Sequence, residues 1–145
     1  MSRWWGRLSE ALARIRQPAS GGGQALITEA GRPVGYLCWQ HPTRADLEAA
    51  SLHHVPESAI DVDLLIGEPD AVGRGIGPRA LELIQERVWR DPSVPLVMLC
   101  TSVENTVAQR AFEKAGFTRR RIFEDPGGGT FCLFVAERPL GTVSP

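Results

Sequence analysis

Apolar residues recur at every second position in Ile60, Val62, Leu64 and Ile66, with Asp61, Asp63 and Leu65 between them. A period of two predicts a strand, and it sets the two aspartates on one face, about 7 Å apart. Further on the period changes. Ile76, Ala80, Ile84 and Val88 fall on one stripe of a helix running from about Gly77 to Trp89, and Asp91-Pro92 breaks it. Pro95 to Thr101 reads as another strand. Val107, Ala108, Ala111, Phe112 and Ala115 then mark a second helix, which stops at Gly116, a residue suited to the position just past a helix end.

Upstream, Ala25 to Ala30 and Pro33 to Gln40 are two strands joined at Gly31-Arg32, and two more strands, about 117–124 and 130–137, flank the turn Asp125-Pro126-Gly127-Gly128-Gly129. At the front, Trp4, Trp5, Leu8, Leu12 and Ile15 alternate with Arg3, Arg7, Arg14 and Arg16 in an amphipathic helix ending before Pro18. Residues 41–58, with His53-His54 and two prolines, show no period and read as a long loop. The last eight residues are expected to fray. This order predicts one α/β domain over 1–145, a mixed sheet with helices on its faces.

Composition narrows the function classes. The 145 residues are 43% hydrophobic and 23% charged with a net charge of −1, so neither nucleic acid nor an anionic membrane is an expected partner. No apolar run approaches the ~20 residues of a membrane span, which places the chain in the cytoplasm by default. Cys38, Cys100 and Cys132 each sit in an apolar run without metal-ligand spacing. They read as buried free thiols, and no metal is expected.

The chemistry centres on Val72-Gly73-Arg74-Gly75-Ile76-Gly77, between the Ile60–Ile66 strand and the following helix. A nucleotide P-loop would end in Gly-Lys-Ser/Thr, whereas Gly77 is followed by Pro78. A dinucleotide fold would need Gly-x-Gly-x-x-Gly inside a βαβ unit. What remains is a run of backbone N–H groups at a helix N-terminus, able to hold a pyrophosphate, or a glycine turn that only connects strand to helix.

A second motif decides between them. Asn105, Ala108 and Phe112-Glu113-Lys114-Ala115-Gly116-Phe117 follow some thirty residues later. Together the two stretches resemble the GNAT superfamily of acetyl-CoA-dependent N-acetyltransferases, over roughly residues 24–138. Within it, Trp4-Trp5-Gly6, Pro33-Val34-Gly35-Tyr36, Asp63 and Ile66-Gly67-Glu68-Pro69 are most similar to the aminoglycoside 6′-N-acetyltransferase branch. Such chains have a mostly antiparallel mixed sheet with splayed central strands. They also carry a strand and a helix ahead of the Trp-Trp-Gly segment, which this chain is expected to lack.

The resemblance implies roles. Val72, Gly73, Arg74, Gly75, Ile76 and Gly77 would hold the pyrophosphate of acetyl-CoA, the acetyl donor. Leu65, Ile66 and Gly67 would pair with its pantetheine arm, and the N–H near Gly67 would stabilise the oxyanion. Asn105 would bond to the pantetheine, or serve as an ordinary helix cap. Asp63 would take the proton of the acceptor ammonium, with Glu68 a second candidate base. Asp61 would join Asp63 in attracting a cationic, aminoglycoside-like amine. Phe112 stands beside the cofactor where many members carry a tyrosine acid, and phenylalanine cannot donate a proton. The alternatives are another small amine or siderophore precursor as acceptor, or a weakly active acyl-CoA-binding protein. An uncovered sheet edge makes a homodimer an expectation.

Overall fold

Two consecutive residues with positive φ, Ala30 (52°) and Gly31 (81°), reverse the chain between β1 (Gly23–Glu29) and β2 (Arg32–Gln40). Positive φ at both central residues belongs to the type I′ hairpin turn, whose twist matches that of the strands. The turn lies one residue earlier than the sequence pattern suggests. A computed structural model of the protein describes residues 22–66 and 73–140. The expected N-terminal helix, Gly67, Glu68, Val72 and the chain's last five residues lie outside these.

β3 (Ile60–Ile66), β4 (Leu96–Ser102), β5 (Thr118–Glu124) and β6 (Thr130–Glu137) complete a six-stranded sheet in the order β1-β2-β3-β4-β6-β5. Every neighbouring pair is antiparallel except β3 and β4. The fold is therefore the mixed, mostly antiparallel α/β sheet that the sequence implied.

Between β2 and β3, residues 41–58 are not all loop. Arg44–Ala49 forms a short helix, α1, capped by the Thr43 hydroxyl, which accepts the Asp46 N–H at 3.0 Å. The helix buries only Leu47, too little to print a period on the sequence. The visible signal was the cap itself, a threonine three residues ahead of an aspartate. Arg44 then ties the segment together: its guanidinium donates to the carbonyls of Val55 (2.9 Å) and His53 (3.3 Å) and pairs with Glu48 and Glu57.

The helix α2 (Ile76–Val88) connects β3 to β4, and α3 (Thr106–Lys114) connects β4 to β5. Both cover the same sheet face. Ala80, Leu81, Ile84 and Val88 of α2 and Phe112 of α3 pack with Val62, Leu64, Val97, Leu99 and Phe134 in the main core. Ile76, expected on this stripe, is half-buried. α3 ends as its sequence promised: Gly116 has φ 95°, and the Phe117 N–H reaches back to the Phe112 carbonyl at 3.0 Å. A second cluster occupies the opposite face, where Leu47, Leu52 and Val55 lie on Met98, Leu133 and Val135.

The end of β6 is anchored by one side chain. Arg138 donates to the carbonyls of Val94 (3.0 Å), Trp89 (3.1 Å) and Asp91, and its guanidinium lies 5.1 Å from the centroid of the Trp89 ring. This fork secures the α2–β4 connection to the end of β6, the strand beside β4. Arg138→Ala removes a donor from three carbonyls, of which that of Asp91 keeps a second partner in the Val94 N–H, and is expected to cost about 1–3 kcal/mol in urea denaturation. Arg138→Lys should recover only part of that, because an ammonium cannot serve three diverging carbonyls as a planar fork does.

Candidate active site

The ladder between β3 and β4 is short. Ile60 pairs with Val97 and Asp61 with Met98, and among the described residues no further pair forms between these strands. Each strand nevertheless continues with its other neighbour. β3 stays on β2 as far as Gly35 opposite Ile66, and β4 stays on β6 as far as Ser102 opposite Phe131. The antiparallel neighbours thus draw the two central strands apart and open a wedge at their C-terminal ends. Gly35 permits the close β2–β3 approach at this point, since a Cβ there would sit 2.1 Å from the Leu65 carbonyl oxygen.

The glycine loop enters α2 beside this wedge. Gly73 and Gly75 have φ values of 83° and 80°, and Gly75 is the cap of α2. No side chain caps this end and no acidic residue stands in its first turn, so the first-turn N–H groups of Ile76 and Gly77 face no competing carboxylate from their own helix. Pro78 contributes no donor. The first helical bond in the turn runs from the Arg79 N–H to the Gly75 carbonyl at 3.1 Å. Arg74 does not extend its guanidinium into this space. It forms a two-pronged pair with Glu29 at the end of β1, at 2.7 and 2.9 Å, tying the loop to the sheet edge.

Asn105 lies just beyond β4 and caps α3, its side-chain oxygen accepting the Ala108 N–H at 3.1 Å. Of the two roles open to it in the sequence, capping is the one this contact fulfils. Phe112 is in the core: it is 1% exposed, and its ring meets Phe134 edge-on with centroids 5.3 Å apart. Leu65 is buried with Tyr36 and Cys38, and Ile66 is half-buried at the end of β3.

Asp61 and Asp63 do share a face, as the alternation requires. They open onto a cavity of about 560 Å³ on the sheet face opposite α2 and α3. Two further aspartates line it, Asp46 from α1 and Asp125 from the β5–β6 turn, together with His41 and Cys100. Among the described residues its wall has four carboxylates and no lysine or arginine. Sequence reasoning missed Asp46, Asp125 and His41. They are 15 to 64 positions from Asp61 and Asp63 or lie in stretches without a period, and only the fold gathers them.

Cys100 was read as a buried thiol, but it is half-buried on this wall. Burial first, then the negative charges of Asp61 and Asp63, push its thiol well above the ordinary value of 9.0. Burial also raises Cys132, against a smaller opposing pull from Arg119. The larger cavity, about 690 Å³, lies elsewhere, between β1–β2 and α2. It is mainly apolar, with Leu26, Trp39 and Leu83 in its wall, and neither aspartate reaches it.

A wedge between central strands, a glycine-capped helix beside it and the second motif on α3 occur together in a chain whose residues 2–124 match the acetyltransferase (GNAT) domain family. The chain belongs to this family. Aminoglycoside N(6′)-acetyltransferase type 1 of Klebsiella pneumoniae is 31% identical over 67 residues, 46% of this chain and 33% of that protein. A kanamycin resistance protein of Rhizobium radiobacter is 30% identical over 67 residues, 46% of this chain and 62% of that protein. The match therefore spans about a third of the first relative and less than two thirds of the second. The crystal structure of aminoglycoside acetyltransferase AAC(6′)-Ib in complex with coenzyme A and kanamycin superposes with a TM-score of 0.72 at 23% identity, covering 93% of this chain and 80% of that one. That likeness establishes the GNAT fold.

Two of the loop glycines should respond differently to substitution. Gly75→Ala forces an L side chain into positive φ and is expected to destabilise by about 1–2 kcal/mol. Gly77→Ala meets only the Leu64 side chain, at an ordinary 3.7 Å, and should be neutral or stabilising by up to ~1 kcal/mol, both read by urea denaturation.

The thiols yield a second test. The folded chain keeps the Cys100 and Cys132 protons to higher pH than the unfolded chain does. Above the ordinary thiol value of 9.0 the unfolded state therefore binds fewer protons, and stability falls as pH rises. Iodoacetamide should label Cys100 more slowly than free cysteine at pH 8. Removing a neighbouring negative charge by Asp61→Asn or Asp63→Asn should speed the labelling, as followed by peptide mass mapping.

Proposed function

We propose that the protein is an acetyl-CoA-dependent N-acetyltransferase that acts on a primary amine of a polycationic, aminoglycoside-like acceptor. The observation that carries this reading is the placement of a four-aspartate cavity against the diverging ends of β3 and β4, with the glycine loop leading from the same strand. A donor lying in the wedge has its phosphates at the α2 N-terminus and its acetyl group near the β3 aspartates. The curated relatives, an aminoglycoside acetyltransferase and a kanamycin resistance protein, support the acceptor class.

In this reaction the acceptor enters as an ammonium, because an aliphatic amine is protonated near neutral pH. Asp63, or Glu68 in its place, takes one proton and frees the nitrogen lone pair. The nitrogen attacks the thioester carbonyl carbon, and the developing oxyanion is held by the N–H near Gly67. The tetrahedral adduct collapses by breaking the carbon–sulfur bond. The product nitrogen loses its second proton, and the coenzyme A thiolate takes one up. Asp46, Asp61 and Asp125 hold other ammonium groups of the acceptor. Ile76 and Gly77 donate their N–H groups to the pyrophosphate.

Phe112, packed in the core against Phe134, has no hydroxyl to protonate the departing thiolate. Water, or the nitrogen of the tetrahedral adduct as it gives up its second proton, supplies that proton instead. The free thiols Cys38, Cys100 and Cys132 suit a reducing compartment, and we place the protein in the cytoplasm on that ground.

Acetyl-CoA should bind in calorimetry, and adding kanamycin should release a titratable thiol. Asp63→Asn is expected to lower turnover about 10²-fold or more with acetyl-CoA affinity unchanged. Asp46→Asn and Asp125→Asn should raise KM for kanamycin more than KM for a simple monoamine. Binding of acetyl-CoA without thiol release from any amine would instead identify an acyl-CoA-binding protein.

A further inference from the structure

We propose that Thr101 is a further catalytic residue: its hydroxyl donates a hydrogen bond to the sulfur of the departing coenzyme A. The inference rests on the reading that acetyl-CoA lies in the β3–β4 wedge, and it holds whichever amine is acetylated.

Thr101 stands near the end of β4, three residues past Met98, the last described residue to pair with β3. Extending that register sets Asp63 level with Cys100 and Leu64 level with Thr101. The threonine therefore borders the wedge one residue from the height of the proposed base. Alternation along β4 places it with Leu99, on the sheet face that carries Phe112, and opposite Cys132 of β6. It also lines the acidic cavity of the other face, because the sheet is open at this point.

The hydroxyl is buried without a partner. Thr101 is only 3% exposed, yet its hydroxyl makes no hydrogen bond with the rest of the chain. The Cys132 thiol donates to the Thr101 carbonyl at 3.5 Å, not to the hydroxyl. Among the described residues no buried side-chain oxygen is sealed off unpaired, so the small exposure that Thr101 retains includes its hydroxyl. That opening is to the cavity it lines. Burying an unpaired hydroxyl is costly, and valine would fill the same space without the cost. A ligand in the wedge supplies the missing partner.

The reaction needs a hydrogen-bond donor here. With the phosphates at the α2 N-terminus and the acetyl carbon facing Asp63, the sulfur comes between them, on the helix side of that carbon. Thr101 borders the wedge from this side. When the carbon–sulfur bond breaks, its electron pair stays on sulfur as a thiolate. The Thr101 O–H donates to that pair and remains intact, because a threonine hydroxyl is a far weaker acid than a thiol. The sulfur then takes up the second proton of the adduct nitrogen, directly or through water. Phe112, on the same face, has no hydroxyl to give.

Other titratable groups set the background for the sulfur. Asp61 and Asp63 on β3, Asp46 on α1, Asp125 in the β5–β6 turn, His41 after β2 and Cys100 on β4 line the cavity, and Cys132 stands across from Thr101 on β6. All are common to the variants below, so a difference between variants reports the hydroxyl.

The test is the titration of protein-bound coenzyme A carrying carbon-13 at the carbon attached to sulfur, in the wild type, Thr101→Val and Thr101→Ser. A hydrogen bond to the thiolate favours the charged form. Thr101→Val should therefore raise the thiol midpoint by about half a pH unit or more, and Thr101→Ser should restore it. With kanamycin as acceptor, Thr101→Val should lower kcat about tenfold while KM for acetyl-CoA changes little. Without coenzyme A, Thr101→Val should be as stable as the wild type in urea, since the valine loses no partner.

A midpoint that is the same in Thr101→Val, or that serine does not restore, overturns the proposal and leaves the coenzyme A site in place. A valine variant that is markedly destabilised shows a hydroxyl bonded within the fold and also overturns it. Failure of the wild type to bind coenzyme A refutes the wedge reading, and this inference with it. In a protein that turns over no amine, the midpoints alone decide.

Discussion

The structure depends on a conflict between neighbouring strand pairs. β3 and β4 run parallel for only two residue pairs, while β2 and β6 hold them through full antiparallel ladders that lead in different directions. Sheet twist accumulates between strands, and a parallel pair linked by a helix is the weaker partner in that contest. The wedge that results exposes strand backbone in the middle of the sheet instead of at its edge. A ligand with amide groups of its own can fill that space without disturbing the core. The α2 connection then delivers the glycine loop to the same end, because the helix must start where β3 stops.

Charge is distributed in keeping with this arrangement. The net charge of −1 conceals a strong local asymmetry, with four aspartates and no lysine or arginine among the described residues of one cavity wall. Coulomb interaction across a partly dry cleft is stronger than at the open surface, so such a wall attracts cations more strongly than neutral groups. Cys100 registers the field directly, since the charges of Asp61 and Asp63 add to burial in raising its thiol. By contrast, Arg74 is engaged by Glu29, so its charge is balanced at the sheet edge.

Most of the elements were legible as periodicity. The alternation in Ile60–Ile66, the four-residue stripe of α2 and the glycine after α3 each encode a local burial pattern, and each reappears in the fold. α1 was not legible, because a six-residue helix with one buried side chain carries too few apolar positions to show a period. Phe112 was legible as part of a motif. Its environment was not: the ring lies against Phe134 in the core, a contact made across 22 residues of chain.

Sequence alone therefore determined the type and order of the elements, the shared face of Asp61 and Asp63, and the family, because these follow from spacing within one segment or from two short motifs. Tertiary structure decided the rest. The reach of the β3–β4 ladder depends on what β2 and β6 do to each strand. The acidic cavity depends on α1 and the β5–β6 turn arriving beside β3. The Cys38 thiol meets Asp63 across β2 and β3 only in the antiparallel register observed, and a shift of one residue would turn the side chain to the other face. Spacing along the chain governs local periodicity, whereas contacts between segments are set only when the sheet and its two cores pack together.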